Sequence, residues 1–168
     1  MPFLVDTNVL TDARRRYYGM DFCPGFWDLL WRAQAAGNVH SIKRVGDELA
    51  RGHDELANWS RSRKEFFHTA PAGVNQSYEA LSNWVASQPY TPAARNEFFR
   101  AADYEIVAHA HATRAIVVSN EIATPNARSR ITIPDACNAL QVGFQSVWQM
   151  LRALEAHSAQ QAAPTRRA

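Results

Sequence analysis

Short strand-like runs separated by long helical stretches constrain this chain more than any other feature. Phe3-Leu4-Val5 is apolar and ends abruptly at Asp6, and Val39-His40-Ser41-Ile42 is a second short run. Ala115-Ile116-Val117-Val118-Ser119 is a third, apolar and β-branched as buried parallel strands are. Strands joined through helices pair in parallel, because the crossover returns the chain to the same end of the sheet. The expectation is an α/β fold with a mostly parallel sheet covered on both faces. In such sheets ligands lie beyond the carboxyl ends of the strands.

Between these runs the periodicity predicts helices. One starts at Asp6-Thr7-Asn8 and ends at Arg14-Arg15-Arg16. A second covers Phe26 to Ala36, with Phe26, Leu29, Leu30 and Ala33 on one face, and a third runs from Lys43 to Gly52. Residues 17–25, with Gly19, Pro24 and Gly25, read as a loop. Residues 54–100 read as three or four helical segments whose aromatics (Trp59, Phe66, Phe67, Tyr78, Trp84, Phe98, Phe99) are core. Ala101 to Thr113 is a further helix. The end reads as a strand at Ile131–Ile133, a short helix from Pro134 to Leu140, a strand near Val142–Phe144 and a closing helix marked by Trp148, Leu151 and Leu154. The folded part, residues 1–156, is one domain, and residues 157–168 carry too little apolar content to fold.

Composition narrows the function classes. With 168 residues and a 46% hydrophobic fraction, a sizeable core can form. No apolar run reaches the roughly 18 residues of a membrane span, and no basic stretch precedes the first strand, so a cytoplasmic protein is expected. Cys23 and Cys137 are too few for a disulfide scaffold and form no C-x-x-C pair, so they read as lone thiols. The net charge of +2 neither requires nor forbids a nucleic-acid substrate. Dinucleotide and P-loop phosphate motifs are absent from the sequence. His109 and His111 point about 200° apart on a helix and cannot share one ion, while His40 and His53 are isolated.

The acids carry the chemistry. Asp6 lies at the carboxyl end of the first strand and Glu121 just past the third. Glu48 sits in the helix after the second strand, and Asp103 near the start of the helix leading into the third. The topology can bring all four to one sheet edge. Carboxylates that converge stay ionised together only when a cation neutralises them, and hard oxygen donors favour Mg²⁺ or Mn²⁺. Such a site performs metal-dependent phosphoryl chemistry with water as nucleophile. Taken singly, each acid has a plainer role: Asp6 as a helix cap, Glu48 beside Asp47 on a solvated face, Asp103 paired with a helix dipole, Glu121 as a loop charge.

Asp6-Thr7-Asn8-Val9-Leu10 after an apolar strand resembles the opening of PIN-domain nucleases, including the VapC-like toxins of bacterial toxin–antitoxin pairs. Val45-Gly46-Asp47-Glu48-Leu49 resembles the segment carrying that family's second acid and selects Glu48 over Asp47. Ala102-Asp103-Tyr104-Glu105 resembles the helix carrying the third acid, and Ile116-Val117-Val118-Ser119-Asn120-Glu121 the strand that ends in Ser or Thr, Asn and an acid. The resemblance spans residues 3 to about 155. Tyr17-Tyr18-Gly19, the Phe22–Trp27 loop and Ile133-Pro134-Asp135-Ala136-Cys137 are similar to a subgroup known mainly from sequence. The resemblance implies a three-layer α/β/α sandwich and Mg²⁺- or Mn²⁺-dependent cleavage of single-stranded or structured RNA. It also implies an antitoxin protein as partner and, by analogy, a homodimer. Asp135 is an extra acid that either joins the metal ligands or caps the helix after Pro134; the cap is the plainer reading.

Thr7, Asn8 and Ser119 are expected to support the acids: Thr7 and Asn8 by orienting Asp6 or by capping the first helix, Ser119 by hydrogen-bonding Asp6. Arg14, Arg15, Arg16, Arg128 and Arg130 are candidate phosphate contacts, although charge runs are commonly solvated faces. Three functions follow: a ribonuclease toxin restrained by an antitoxin, a PIN-type nuclease in RNA processing or DNA cleavage, or a catalytically idle binding module.

Overall fold

The structure is a computed structural model that describes residues 1–162. In chain order the first strand β1 (Phe3–Val5) leads into α1 (Thr7–Asp12), then α2 (Pro24–Ala35), β2 (Val39–Ile42), α3 (Lys43–Ala50) and α4 (Glu55–Ser62). There follow β3 (Phe67–His68), α5 (Val74–Ser87), α6 (Pro92–Arg100), α7 (Ala102–Thr113) and β4 (Ile116–Val118). The chain closes with α8 (Ile133–Ala139), β5 (Gly143–Gln145) and α9 (Val147–Ala162). The strands form one sheet in the order β3-β2-β1-β4-β5, every pair parallel. The fold is the expected α/β sandwich.

Register sets the sheet's working edge. Leu4 lies beside His40 and Val117, and Val5 beside Val118, which in turn lies beside Gln145. The residues after Val5, Ile42, Val118 and Gln145 therefore emerge at one edge. β1 is central and fully covered, with Phe3, Leu4 and Val5 all buried, as expected for a strand covered by helices on both faces. The Ser41 hydroxyl donates to the Val5 carbonyl at 2.6 Å and binds β2 to the end of β1.

Helix starts follow their local chemistry. Asp54 caps α4 by accepting from the Ala57 amide, and Thr91 caps α6 by accepting from Ala94 ahead of a proline at the first turn. α3 approaches β3 closely because residue 46 is glycine: a Cβ there would lie 2.6 Å from the Phe67 ring.

Several expected elements differ. The first helix does not end at the arginines; Ala13–Tyr17 continues it as a π-helical turn. Pro24 opens α2 two residues before Phe26, because proline suits a first helical position. Ile131–Ile133 is not a strand: Thr132 is the N-cap of α8, and its hydroxyl accepts from the Asp135 amide at 3.4 Å. Phe67–His68 pairs beside β2 as an edge strand within the stretch expected to be helical. Phe66 and Phe98 are core, while Phe99 is 38% exposed. The last helix continues to Ala162, beyond residue 157 where the tail was expected to begin. Residues 163–168 of that tail lie outside the described residues.

Candidate metal centre at the carboxyl edge

Asp6 follows β1 directly and is 1% exposed. It occupies the N-cap position of α1, yet its side chain makes no capping bond. Instead the Ser119 hydroxyl, just past the end of β4, donates to Asp6 Oδ2 at 2.9 Å. Burial raises the Asp6 pKa to about 7. The charges of Asp103 and then Glu121 push the same way, against the Ser119 hydroxyl and the Thr7 amide.

Asp103, in the first turn of α7, shows the same pressure. Its pKa is raised to about 6 by burial and by Glu121, with Glu48 adding to the effect and Arg130 opposing it. Asp103 and Glu121 thus press on the charge of Asp6, and Glu121 and Glu48 on that of Asp103, at one edge of the sheet. Like charges in a poorly solvated place are unfavourable without a counter-charge.

Arginines supply part of it. Arg130 pairs with Glu121, whose other oxygen accepts from the Ile133 amide at the start of α8 at 2.7 Å. Arg44 lies 3.5 Å from Glu48 and 2.8 Å from Glu105, and it also donates to the Arg100 carbonyl. Glu48 faces the site, with the Thr7 hydroxyl 3.5 Å from its Oε2, whereas Asp47 turns outward to Lys43 at 2.6 Å. Among the described residues no three His, Cys, Asp or Glu side chains are gathered within one ion's reach. The donor set still suits a hard cation. Its members are all carboxylates, and the most buried of them, Asp6, is paired only with a hydroxyl and an amide.

Other expected residues take different places. Asn8 is exposed in α1, and its carbonyl accepts from the Thr11 hydroxyl. Asp135 is buried at the third position of α8 and does not cap it, since Thr132 holds the cap position. The Asp135 carboxylate receives the Thr132 hydroxyl at 2.7 Å and the Thr124 amide at 3.1 Å, which pins the loop after Glu121. Those bonds occupy both of its oxygens and assign it a structural role. Arg14 pairs with Asp54 at 3.0 Å, and Arg16 lies 3.6 Å from Asp12. Arg15 and Arg128 are exposed. Arg130 is exposed and pairs with Glu121.

Comparison with known proteins places the chain in a family. It belongs to the DUF4411 family. The family model, described as a domain of unknown function, matches residues 3–158. No curated protein and no solved structure matches the chain.

Two groupings in this DUF4411 domain escape sequence reasoning. Arg44 and Glu105 stand one turn from Glu48 and two residues from Asp103 respectively, and each reads as an ordinary surface charge. His40, expected to be isolated, stacks on His68 with ring centroids 4.1 Å apart and lies 5.9 Å from His109. Finding that cluster requires β3 to be placed beside β2, where Ile42 and His68 are register partners. A cavity of about 460 Å³ beside Glu48 is lined by Lys43, Arg44, Asp47, Arg51 and Glu105. Among the described residues no helix is long and apolar enough to cross a membrane.

Proposed function

We propose that the chain is a PIN-type endoribonuclease, dependent on Mg²⁺ or Mn²⁺, that acts as the toxin of a type II toxin–antitoxin pair. What supports this is the charge coupling of Asp6 to Asp103 and Glu121, and of Asp103 to Glu48, along one sheet edge, with Asp6 buried and its pKa raised to about 7. Selection for stability alone does not favour a nearly unexposed carboxylate next to a second acid. A site that must receive a cation does favour it.

In this reading Asp6 and Asp103 are the principal holders of the cation. Glu48 and Glu121 would complete the carboxylate set. Bound there, Mg²⁺ or Mn²⁺ would supply Lewis-acid stabilisation of a phosphodiester and activation of water. Ser119 fixes the orientation of Asp6 through its 2.9 Å hydrogen bond. Thr7 holds Glu48 on the same side. Arg130, exposed beside Glu121, would be available to phosphate. An antitoxin protein would restrain such an enzyme by covering the acidic edge.

The test is cleavage of an unstructured RNA by purified protein with Mn²⁺. Wild type is expected to cut, and both Asp6→Asn and Asp103→Asn to be inactive while folded. Full activity in Asp6→Asn would refute the proposal. Growth arrest on expression, relieved by the same substitution, separates a toxin from an enzyme of RNA processing.

A further inference from the structure

The carboxyl edge continues past the acids onto an exposed aromatic surface. Phe22 is 89% exposed, Tyr17 56% and Trp148 55%. Two of them, Tyr17 and Trp148, stand against one ring, that of Tyr18. The Tyr17 and Tyr18 ring centroids are 6.3 Å apart, and the Tyr18 and Trp148 centroids 6.0 Å apart. Phe22 sits in the tight turn after Tyr18, its amide donating to the Gly19 carbonyl at 3.1 Å. Tyr18 is the floor of the patch. It stacks on Phe26 at 4.4 Å with planes 5° apart, and its hydroxyl is buried without a hydrogen-bond partner. Contiguous exposed aromatics of this kind mark interaction surfaces.

The surroundings define the partner. Arg15 and Arg16 precede Tyr17 on the π-helical turn and are exposed. Arg152 is exposed one helical turn beyond Trp148 on α9. The patch is also tied to the acids. Asn120, next to Glu121, donates to Asp12 on α1 at 3.1 Å, and the Ser119 amide donates to the Gln145 carbonyl at the end of β5, three residues before Trp148. Flat rings beside arginines, in line with an acidic phosphodiester site, suit one ligand chemistry. Bases stack on the rings and phosphates meet the guanidinium groups. A duplex keeps its bases stacked inside and could offer the rings no faces.

We propose that Tyr17, Phe22 and Trp148, flanked by Arg15, Arg16 and Arg152, form a platform for an unpaired RNA strand running off the acidic edge. The platform stacks bases a few nucleotides from the bond to be cut. It rests on the nuclease proposal for its substrate and extends it by making the enzyme selective for unpaired RNA.

The experiment uses the full chain in EDTA, with a fluorescein-labelled ten-nucleotide uridine oligoribonucleotide and the same strand paired with its complement. Wild type should bind the unpaired strand more tightly. Phe22→Ala and Trp148→Ala should each weaken that binding by about tenfold, with Trp148→Phe retaining most of it. Phe22 is so exposed that its variant tests binding without disturbing the fold. Affinities unchanged in both variants would overturn the platform. So would equal losses for paired and unpaired strands. So would variants that disperse a dimer and leave RNA affinity intact, since the face would then belong to a protein contact. Cleavage with Mn²⁺ separates the two proposals. RNA held through the platform but never cut leaves the platform standing and removes the nuclease. RNA cut as before by variants with unaltered affinity does the reverse.

Discussion

Replacing Asp6 by Asn should make the metal-free protein more stable while abolishing its response to cations. The carboxylate is 1% exposed, and its pKa rises from 3.8 to about 7 because burial and the charges of Asp103 and Glu121 oppose ionisation. A folded pKa above the unfolded one favours the fold at low pH, and that advantage is lost as pH rises through the folded value. At pH 8 the native state therefore holds a charge that the unfolded chain carries more comfortably. A gap of about three pH units corresponds to roughly 4 kcal/mol as an upper bound. Asn keeps the shape and can still accept from the Ser119 hydroxyl. Neighbours relax around the charge in wild type, so about half the bound, roughly 2 kcal/mol, is the expected gain.

For a domain of this size that gain raises Tm by about 4–8 °C. The assay is thermal unfolding in EDTA at pH 8 and pH 5. The advantage of Asp6→Asn should shrink at the lower pH, where the wild-type carboxyl is mostly protonated in the fold. Added Mn²⁺ should raise the wild-type Tm at pH 8 and leave the variant unchanged, because only wild type presents the full set of charges. A variant less stable than wild type in EDTA at pH 8 would show that Asp6 is a structural carboxylate, and the reasoning would fail.

Other outcomes follow from the same geometry. Arg130→Ala frees Glu121 and removes the charge that opposes the rise of the Asp103 pKa, so Mn²⁺ should stabilise that variant at several-fold lower concentration in a thermal titration; an unchanged midpoint would refute competition between arginine and cation. Burial, with His68 nearby, lowers the pKa of His40 and of His109 to about 4. A depressed histidine leaves stability intact above the unfolded pKa of 6.5 and removes it as pH falls toward 4, by up to about 3 kcal/mol for each ring. His109→Gln should flatten the loss of urea resistance across that window, and an unaltered slope would count against it. Gly46→Ala drives a methyl into the Phe67 ring and should cost roughly 1–3 kcal/mol of stability, as overpacking does, read from the denaturant midpoint.

The sheet was legible wherever sequence and burial agree. Phe3-Leu4-Val5 and Ile116-Val117-Val118 are nearly continuous apolar runs because both faces are covered, and that pattern has few alternatives. Once those strands are placed, Asp6 and Glu121 fall at the working edge by connectivity alone. β3 was hidden because two residues, Phe67 and His68, are too short a run to carry a period. The Ile131–Ile133 segment misleads for a different reason. Its apolar, β-branched residues are buried around a capping Thr, and burial serves a helix start as well as a strand. Asp135 was visible as an acid in the right region, but its partners, the Thr132 hydroxyl and the Thr124 amide, depend on a loop path that no periodicity encodes. The arginine partners of Glu48 and Glu121 were equally hidden, since one lies a turn away and the other across a loop.

Those two arginines bear on how an acidic edge is tolerated before any cation arrives. Glu48 and Glu121 each have a guanidinium group at hand, while Asp6, the most buried of the four, and Asp103 carry raised pKa values. The guanidinium groups thus lie on Glu48 and Glu121, while Asp6 has a hydroxyl and an amide. An arginine placed directly on Asp6 would relieve the strain, but it would fill the space and supply permanently the charge that, in the proposed reading, an exchangeable ion brings. In the proposed reading this placement leaves the deepest carboxylate to the cation. Activity and metal affinity should therefore rise together above about pH 7, where Asp6 ionises readily, and a metal affinity indifferent to pH between 5 and 8 would contradict this arrangement.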